Sequence, residues 1–185
     1  SLVETVEGKL GGLARETGAG LIVTGVARDE ALGRALLGST VERLARRSPV
    51  PVLVVRSRLR PYREGLVATD FSPSSRHALV AAATFFPTTP LTLLHAWEVP
   101  FAGFLDQGDF RDQYRAEQQK ACDSFVAAAG LSPLQFAELQ VLLEHGEPEA
   151  LVRDYMIERE VDLVVVGTHG RSAMFDALIG GVARR

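Results

Sequence analysis

The chain has 185 residues, 46% hydrophobic and 23% charged, which is enough to bury a core for one domain or two small ones. Its formal charge of −3 argues against a general nucleic-acid binder, and among its 20 cationic residues only Lys9 and Lys120 are lysine. Neither lies in Gly-x-x-x-x-Gly-Lys-Ser/Thr, so P-loop chemistry is excluded, and the longest apolar run, 78–86, is too short to span a bilayer.

In chain order, Val3, Val6, Leu10 and Leu13 recur at helical spacing. Two β-branched runs follow, 21–24 and 50–55, with a helical pattern over 36–47 between them. Arg56, Arg58, Arg60, Pro61 and Arg63 mark a solvated linker. Beyond it come a strand at 66–69, a helix at 75–85 preceded by Asp70-Phe-Ser-Pro, and a strand at 91–96. Residues 101–108, with two glycines and two phenylalanines, read as a loop. A helix at 109–129 carries Cys122, the single cysteine, which has no internal disulfide partner and reads as a small buried side chain. The alternating run 136–143 reads as a strand nearer an edge, Pro148 suits the first turn of a helix over 148–159, and 163–166 is a last buried strand. Alternating strands and helices predict a doubly wound α/β fold with a parallel sheet and right-handed crossovers. A Gly-x-Gly-x-x-Gly segment after a strand is missing, which argues against a dinucleotide-binding enzyme.

The chain also repeats itself. Placing Gly25 on Gly167 brings Leu21-Ile-Val-Thr-Gly onto Leu163-Val-Val-Val-Gly, and Ala35-Leu-Leu-Gly onto Ala177-Leu-Ile-Gly. The second copy reads Gly167-Thr-His-Gly170 and, nine residues on, Gly180-Gly181; the first reads Gly25-Val-Ala-Arg28 and, nine residues on, Gly38-Ser39. This pattern resembles Gly-x-x-Gly-x9-Gly-Ser/Thr, the nucleotide-binding signature of universal stress proteins. Leu66-Val-Ala-Thr-Asp-Phe-Ser resembles the family's first strand and aspartate, Leu93-Leu-His-Ala its second strand, and Asp162-Leu-Val-Val-Val-Gly-Thr-His-Gly its fourth. The segment from Gly38 to Val55 resembles its last helix and fifth strand. The resemblance implies an adenine nucleotide α-hydrolase-like fold with a doubly wound, parallel five-stranded sheet in the order 3-2-1-4-5. It implies a tandem arrangement: 1–57 as the C-terminal half of one unit, 58–63 as linker, and 64–185 as a second unit without its last strand.

The resemblance also implies a nucleotide site at Ala68, Thr69 and Asp70, at Ala96, at Val166, Gly167, His169 and Gly170, and at Gly180, Gly181 and Val182. Gly25, Arg28, Gly38 and Ser39 would form a half site in the first copy. Ligands of open parallel sheets settle beyond the strands' carboxyl ends where the winding reverses, and strand 66–69 is expected beside 163–166 there. Asp70 can accept from ribose hydroxyls or cap the next helix. Gly167 and Gly170 would let backbone approach phosphate, and Gly180 and Gly181 would turn amides toward the same anion. Two positions depart from the signature: Gly181 lacks the hydroxyl, and Arg28 stands where a glycine belongs. His169 is either a ligand contact or a surface loop histidine. His95 reads as a packed core residue, and with His77 and His145 it forms no metal-ligand spacing. Ser72, Ser74 and Ser75 read as turn and cap rather than a catalytic triad.

The expected ligand is ATP or another adenine nucleotide, with or without Mg, and the expected role is a nucleotide-dependent stress or signalling module. No strong general base, metal cluster or nucleophile is visible, so efficient catalysis is not expected. Slow ATP hydrolysis and a dimerisation module without nucleotide stay open as alternatives. The short first half is expected to pack through its 50–55 edge against the second unit or its equivalent in another chain, and the resemblance implies a homodimer, expected in the cytoplasm.

Overall fold

The computed structural model describes residues 2–25, 28–29, 34–35, 39–55, 61–98 and 107–169. They fall into two compact units, separated in sequence between Pro61 and Tyr62.

In the first unit, α1 (Leu2–Thr17) stops at Gly18, whose φ of +67° lets the Ala19 amide turn back to the Ala14 carbonyl at 2.9 Å. Strand β1 (Ile22–Gly25) is followed by a short antiparallel ladder of β2 (Arg28–Asp29) and β3 (Arg34–Ala35). Helix α2 (Ser39–Arg47) then leads to β4 (Val52–Val55), which pairs with β1 in parallel, Ile22 opposite Val52. The strand expected from residue 50 starts at Val52 because Ser48 binds the Val50 amide and carbonyl at 3.2 and 2.6 Å, and Pro51 has no amide to give. Ala14 and Leu44 bury themselves, while Val23 on β1 is 59% exposed.

The second unit runs β5 (Gly65–Ala68), α3 (Pro73–Phe85), β6 (Leu91–Trp97), α4 (Gln107–Ala128), α5 (Pro133–Glu138), β7 (Gln140–His145), α6 (Pro148–Glu158) and β8 (Leu163–Val166). All strand pairs are parallel, and the sheet order is β7-β6-β5-β8. Numbered within the unit this is 3-2-1-4, the described part of the expected order. Strand β5 lies in the middle and is buried along its length, as expected for a parallel sheet covered on both faces. Val67 and Leu93 point into a core with Leu79 and Ala82 of α3 and Cys122, Phe125 and Val126 of α4. On the other face Thr92 bonds the Tyr155 hydroxyl of α6 at 2.9 Å. At the opposite end from the site, the Asp162 carboxylate accepts from the Arg63 and Glu64 amides at 3.1–3.2 Å, stapling the start of β5 to the start of β8.

Two expectations change. The strand expected over 136–143 gives way at its start to α5, because Ser132 and Gln135 form a reciprocal capping box with Pro133 at the first turn. The strand proper is Gln140–His145. Gln107 and Gly108, expected in a loop, open α4; 101–106 lie outside the described residues, as do 36–38 of the first expected helix and 56–60 of the linker.

Candidate functional site

Strand β5 has β6 on one side and β8 on the other, so the chain winds first one way and then the other from this strand. Ala68 is paired with Val166, which brings the segments leaving both strands side by side at the sheet's carboxyl end. That is the switch point at which open parallel sheets bind ligands.

The turn after β5 is built from buried hydroxyls. The Thr69 amide donates to the Leu94 carbonyl at 2.9 Å, and its Oγ1 lies 2.9 Å from Ser75 Oγ while accepting from the Phe71 amide at 3.0 Å. Asp70 Oδ1 accepts from the Ser72 amide at 3.1 Å, an Asx-type turn. Ser72, not Asp70, caps α3: its Oγ accepts from the Ser75 amide at 3.2 Å, with Pro73 in the first turn. Thr69, Ser72 and Ser75 are all buried, and their mutual bonds satisfy the hydroxyls that burial would otherwise penalise. The serines therefore serve turn and cap. Phe71 sits at φ +59°, a region that side chains other than glycine seldom occupy.

The loop after β8 leans on the start of α3. A Cβ on Gly167 would lie 2.7–2.8 Å from Ser74 Oγ and from backbone atoms of Ser74 and Ser75, closer than real side chains come. The glycine is needed for this approach of loop to helix, a requirement separate from any approach to phosphate. The His169 amide donates to Ser74 Oγ at 3.2 Å, and His169 Nδ1 meets Thr168 Oγ1 at 2.9 Å, with the ring exposed. Ser74, which sequence reasoning placed only in the turn, thus ties the two loops together.

His95 stands behind the Asp70 turn and is buried. Its Nδ1 lies 2.8 Å from the Thr69 carbonyl, which can only accept, so Nδ1 carries the proton. Nε2 lies 3.0 Å from Gln118 Oε1 on α4, and the ring stacks on Phe71 with centroids 4.0 Å apart. Ala96, next along β6, is half-buried and paired with Glu144. No sequence signal marks the Gln118 partnership, which joins elements distant along the chain.

The donor set fits a nucleotide best at the ribose end, where a held carboxylate stands at the switch point. Gly170, Gly180, Gly181 and Val182, expected at the phosphate end, lie outside the described residues. In the first unit Gly38 does too; Arg28 stands opposite Ala35 in the short ladder, Ser39 opens α2, and among the described atoms a Cβ on Gly25 would meet nothing within 4 Å. Among the described residues no three His, Cys, Asp or Glu side chains are grouped to hold a metal ion, and no helix is long and apolar enough to cross a membrane.

Comparison with known proteins agrees with this architecture. A universal stress protein of Mycolicibacterium smegmatis is 29% identical over 176 residues, covering 89% of this chain and 57% of that protein. A putative universal stress protein from Pseudomonas aeruginosa superposes with a TM-score of 0.59 at 25% identity, over 92% of this chain and 60% of the other. A universal stress protein from Archaeoglobus fulgidus shares the fold, with a TM-score of 0.59 at 18% identity over 94% and 62% of the two chains. The chain thus spans about three-fifths of the length of these relatives. The Universal stress protein family pattern matches residues 10–56 and 61–185, nearly the whole sequence, and the chain belongs to that family.

Proposed function

We propose that the second unit binds ATP or a related adenine nucleotide, with or without Mg, and serves as a nucleotide-dependent stress or signalling module. The observation that carries this reading is the in-register pairing of Ala68 with Val166, which sets the Asp70 turn beside the Gly167 loop at the switch point. In this reading Asp70 accepts from the ribose hydroxyls. Ala68, Thr69, Ala96 and Val166 form the floor at the strand ends, and Gly167, His169 and Gly170 carry backbone toward the phosphates. Gly180, Gly181 and Val182 complete the anion site through amides, Gly181 without the signature hydroxyl.

The proposed organisation is tandem, with 1–57 as the last part of one unit and 64–185 as the next. The parallel pairing of β1 with β4 supports it, because fourth and fifth strands are neighbours in this fold. Gly25, Arg28, Gly38 and Ser39 are then the counterpart half site, with Arg28 supplying charge in place of glycine's close approach. Self-association as a homodimer in the cytoplasm belongs to the same proposal.

Equilibrium binding of ATP, ADP and AMP to the full chain tests the site. Asp70→Ala, which removes the ribose acceptor, and Gly170→Arg, which fills the phosphate approach, are each expected to weaken binding by about tenfold or more. Unchanged affinity in both folded variants would remove this cleft from consideration.

A further inference from the structure

The geometry points to His95 as the positioning residue that fixes the Asp70 carboxylate from behind. The inference rests on the nucleotide reading of the Asp70 site for its functional half, and on the structure alone for its mechanical half.

Asp70 lies between two residues that His95 holds. On one side, the Nδ1 proton goes to the carbonyl of Thr69, the peptide that leads directly into Asp70. On the other, the imidazole face carries the Phe71 ring at 4.0 Å and an interplanar angle of 27°. Phe71 adopts a φ of +59° that costs a non-glycine residue free energy, and its stacking on His95, with Phe125 at 5.4 Å, offsets that cost. The histidine is itself fixed, buried on β6 with Nε2 against Gln118 Oε1. The Gln118 side-chain oxygen faces Nε2 at 3.0 Å and pins the ring from the α4 side. A helix residue, a strand residue and a turn residue thus form one chain of contacts, Gln118 to His95 to Thr69 and Phe71. Its end product is the direction of the Asp70 carboxylate. The Ser72 amide, bonded to Asp70 Oδ1 at 3.1 Å, reports that direction without any ligand.

Two variants separate the hydrogen bond from packing. His95→Phe keeps a ring for Phe71 and removes the proton for Thr69. His95→Asn returns an N–H near the Nδ1 position with less apolar surface, so a role in packing alone predicts that it is the worse of the two. The full-length protein is examined by amide hydrogen exchange and by ATP binding, with Asp70→Ala alongside. In His95→Phe, the Ser72 amide is expected to lose protection by about tenfold, with amides of β5 and β6 unchanged, and ATP affinity to fall by about the same factor. His95→Asn is expected to recover both. Unchanged Ser72 protection in His95→Phe, or an asparagine variant worse than phenylalanine on both measures, overturns the proposal. So does loss of protection with wild-type ATP affinity where Asp70→Ala is impaired. If Ser72 protection follows the expected pattern while Asp70→Ala binds ATP like the wild type, His95 still positions Asp70, and it is the nucleotide reading that falls.

Discussion

Gly25 and Gly167 hold equivalent places in the two copies of the repeat, and their surroundings differ. At Gly167 an added methyl would meet backbone of Ser74 and Ser75 at 2.8 Å, and backbone cannot rotate away; at Gly25 it would meet nothing within 4 Å among the described residues. Gly167→Ala is expected to destabilise the second unit by about 1–3 kcal/mol, and Gly25→Ala to stay within about 0.5 kcal/mol, both read from urea unfolding. Cys122 offers a second test at this scale. Burial, with a smaller push from the neighbouring Asp123, raises its thiol from 9.0 to about 11. Between those values the folded chain keeps a proton that the unfolded chain releases. The contribution is therefore full below pH 9 and is lost as pH rises toward 11, by about 2–3 kcal/mol in all. Unfolding at pH 8 and at pH 10.5 should show this alkaline loss in the wild type and not in Cys122→Ala; equal losses would mean the thiol does not contribute.

At the scale of elements, the sequence was most legible where local chemistry and burial agree. Leu163–Val166 is an uninterrupted aliphatic run, buried at Leu163 and half-buried beyond it, and its bounds follow directly from that run. Pro148 marks the first turn of α6 for a reason contained in the residue, since its missing amide would find no helical partner there. The error at Phe136 has an equally definite cause. Alternation from Phe136 to Leu143 looks like a strand, yet Ser132 and Gln135 cap each other and draw the first of these residues into α5, leaving Phe136 59% exposed. Among candidate site residues, Asp70 and Gly167 stand out in the sequence because a short motif contains them. Ser74 and Gln118 do not, because their parts depend on contacts with the β8 loop and with His95, far away in the chain. The cap of α3 shows the same limit at short range: Asp70 and Ser72 both suit a cap chemically, and only the turn geometry assigns it to Ser72.

At the scale of the molecule, the first unit's β1–β4 pair has few fully buried side chains among the described residues, and two strands bury little by themselves. Under the proposed self-association, a Val52→Asp, Val54→Asp double variant is expected to lower the mass seen by light scattering while the second unit keeps its circular dichroism. A folded variant of unchanged mass would rule out this strand as the assembly surface. The Asp162 staple has a different consequence, one of time. It joins positions 98 and 99 residues apart, a contact whose closure entropy in an open chain is about 4 kcal/mol. Contacts of that separation form late, after β6, β7 and their helices have shortened the effective loop. During synthesis the Asp70 turn leaves the ribosome long before β8 exists, so under the proposed nucleotide reading a stalled chain ending near Glu160 should carry Asp70 and His95 yet retain no nucleotide, and retention by such a chain would show that β8 is dispensable. Competence to bind would then arrive in one step with the fourth strand, making a filled site a signal that synthesis of the unit has passed that point.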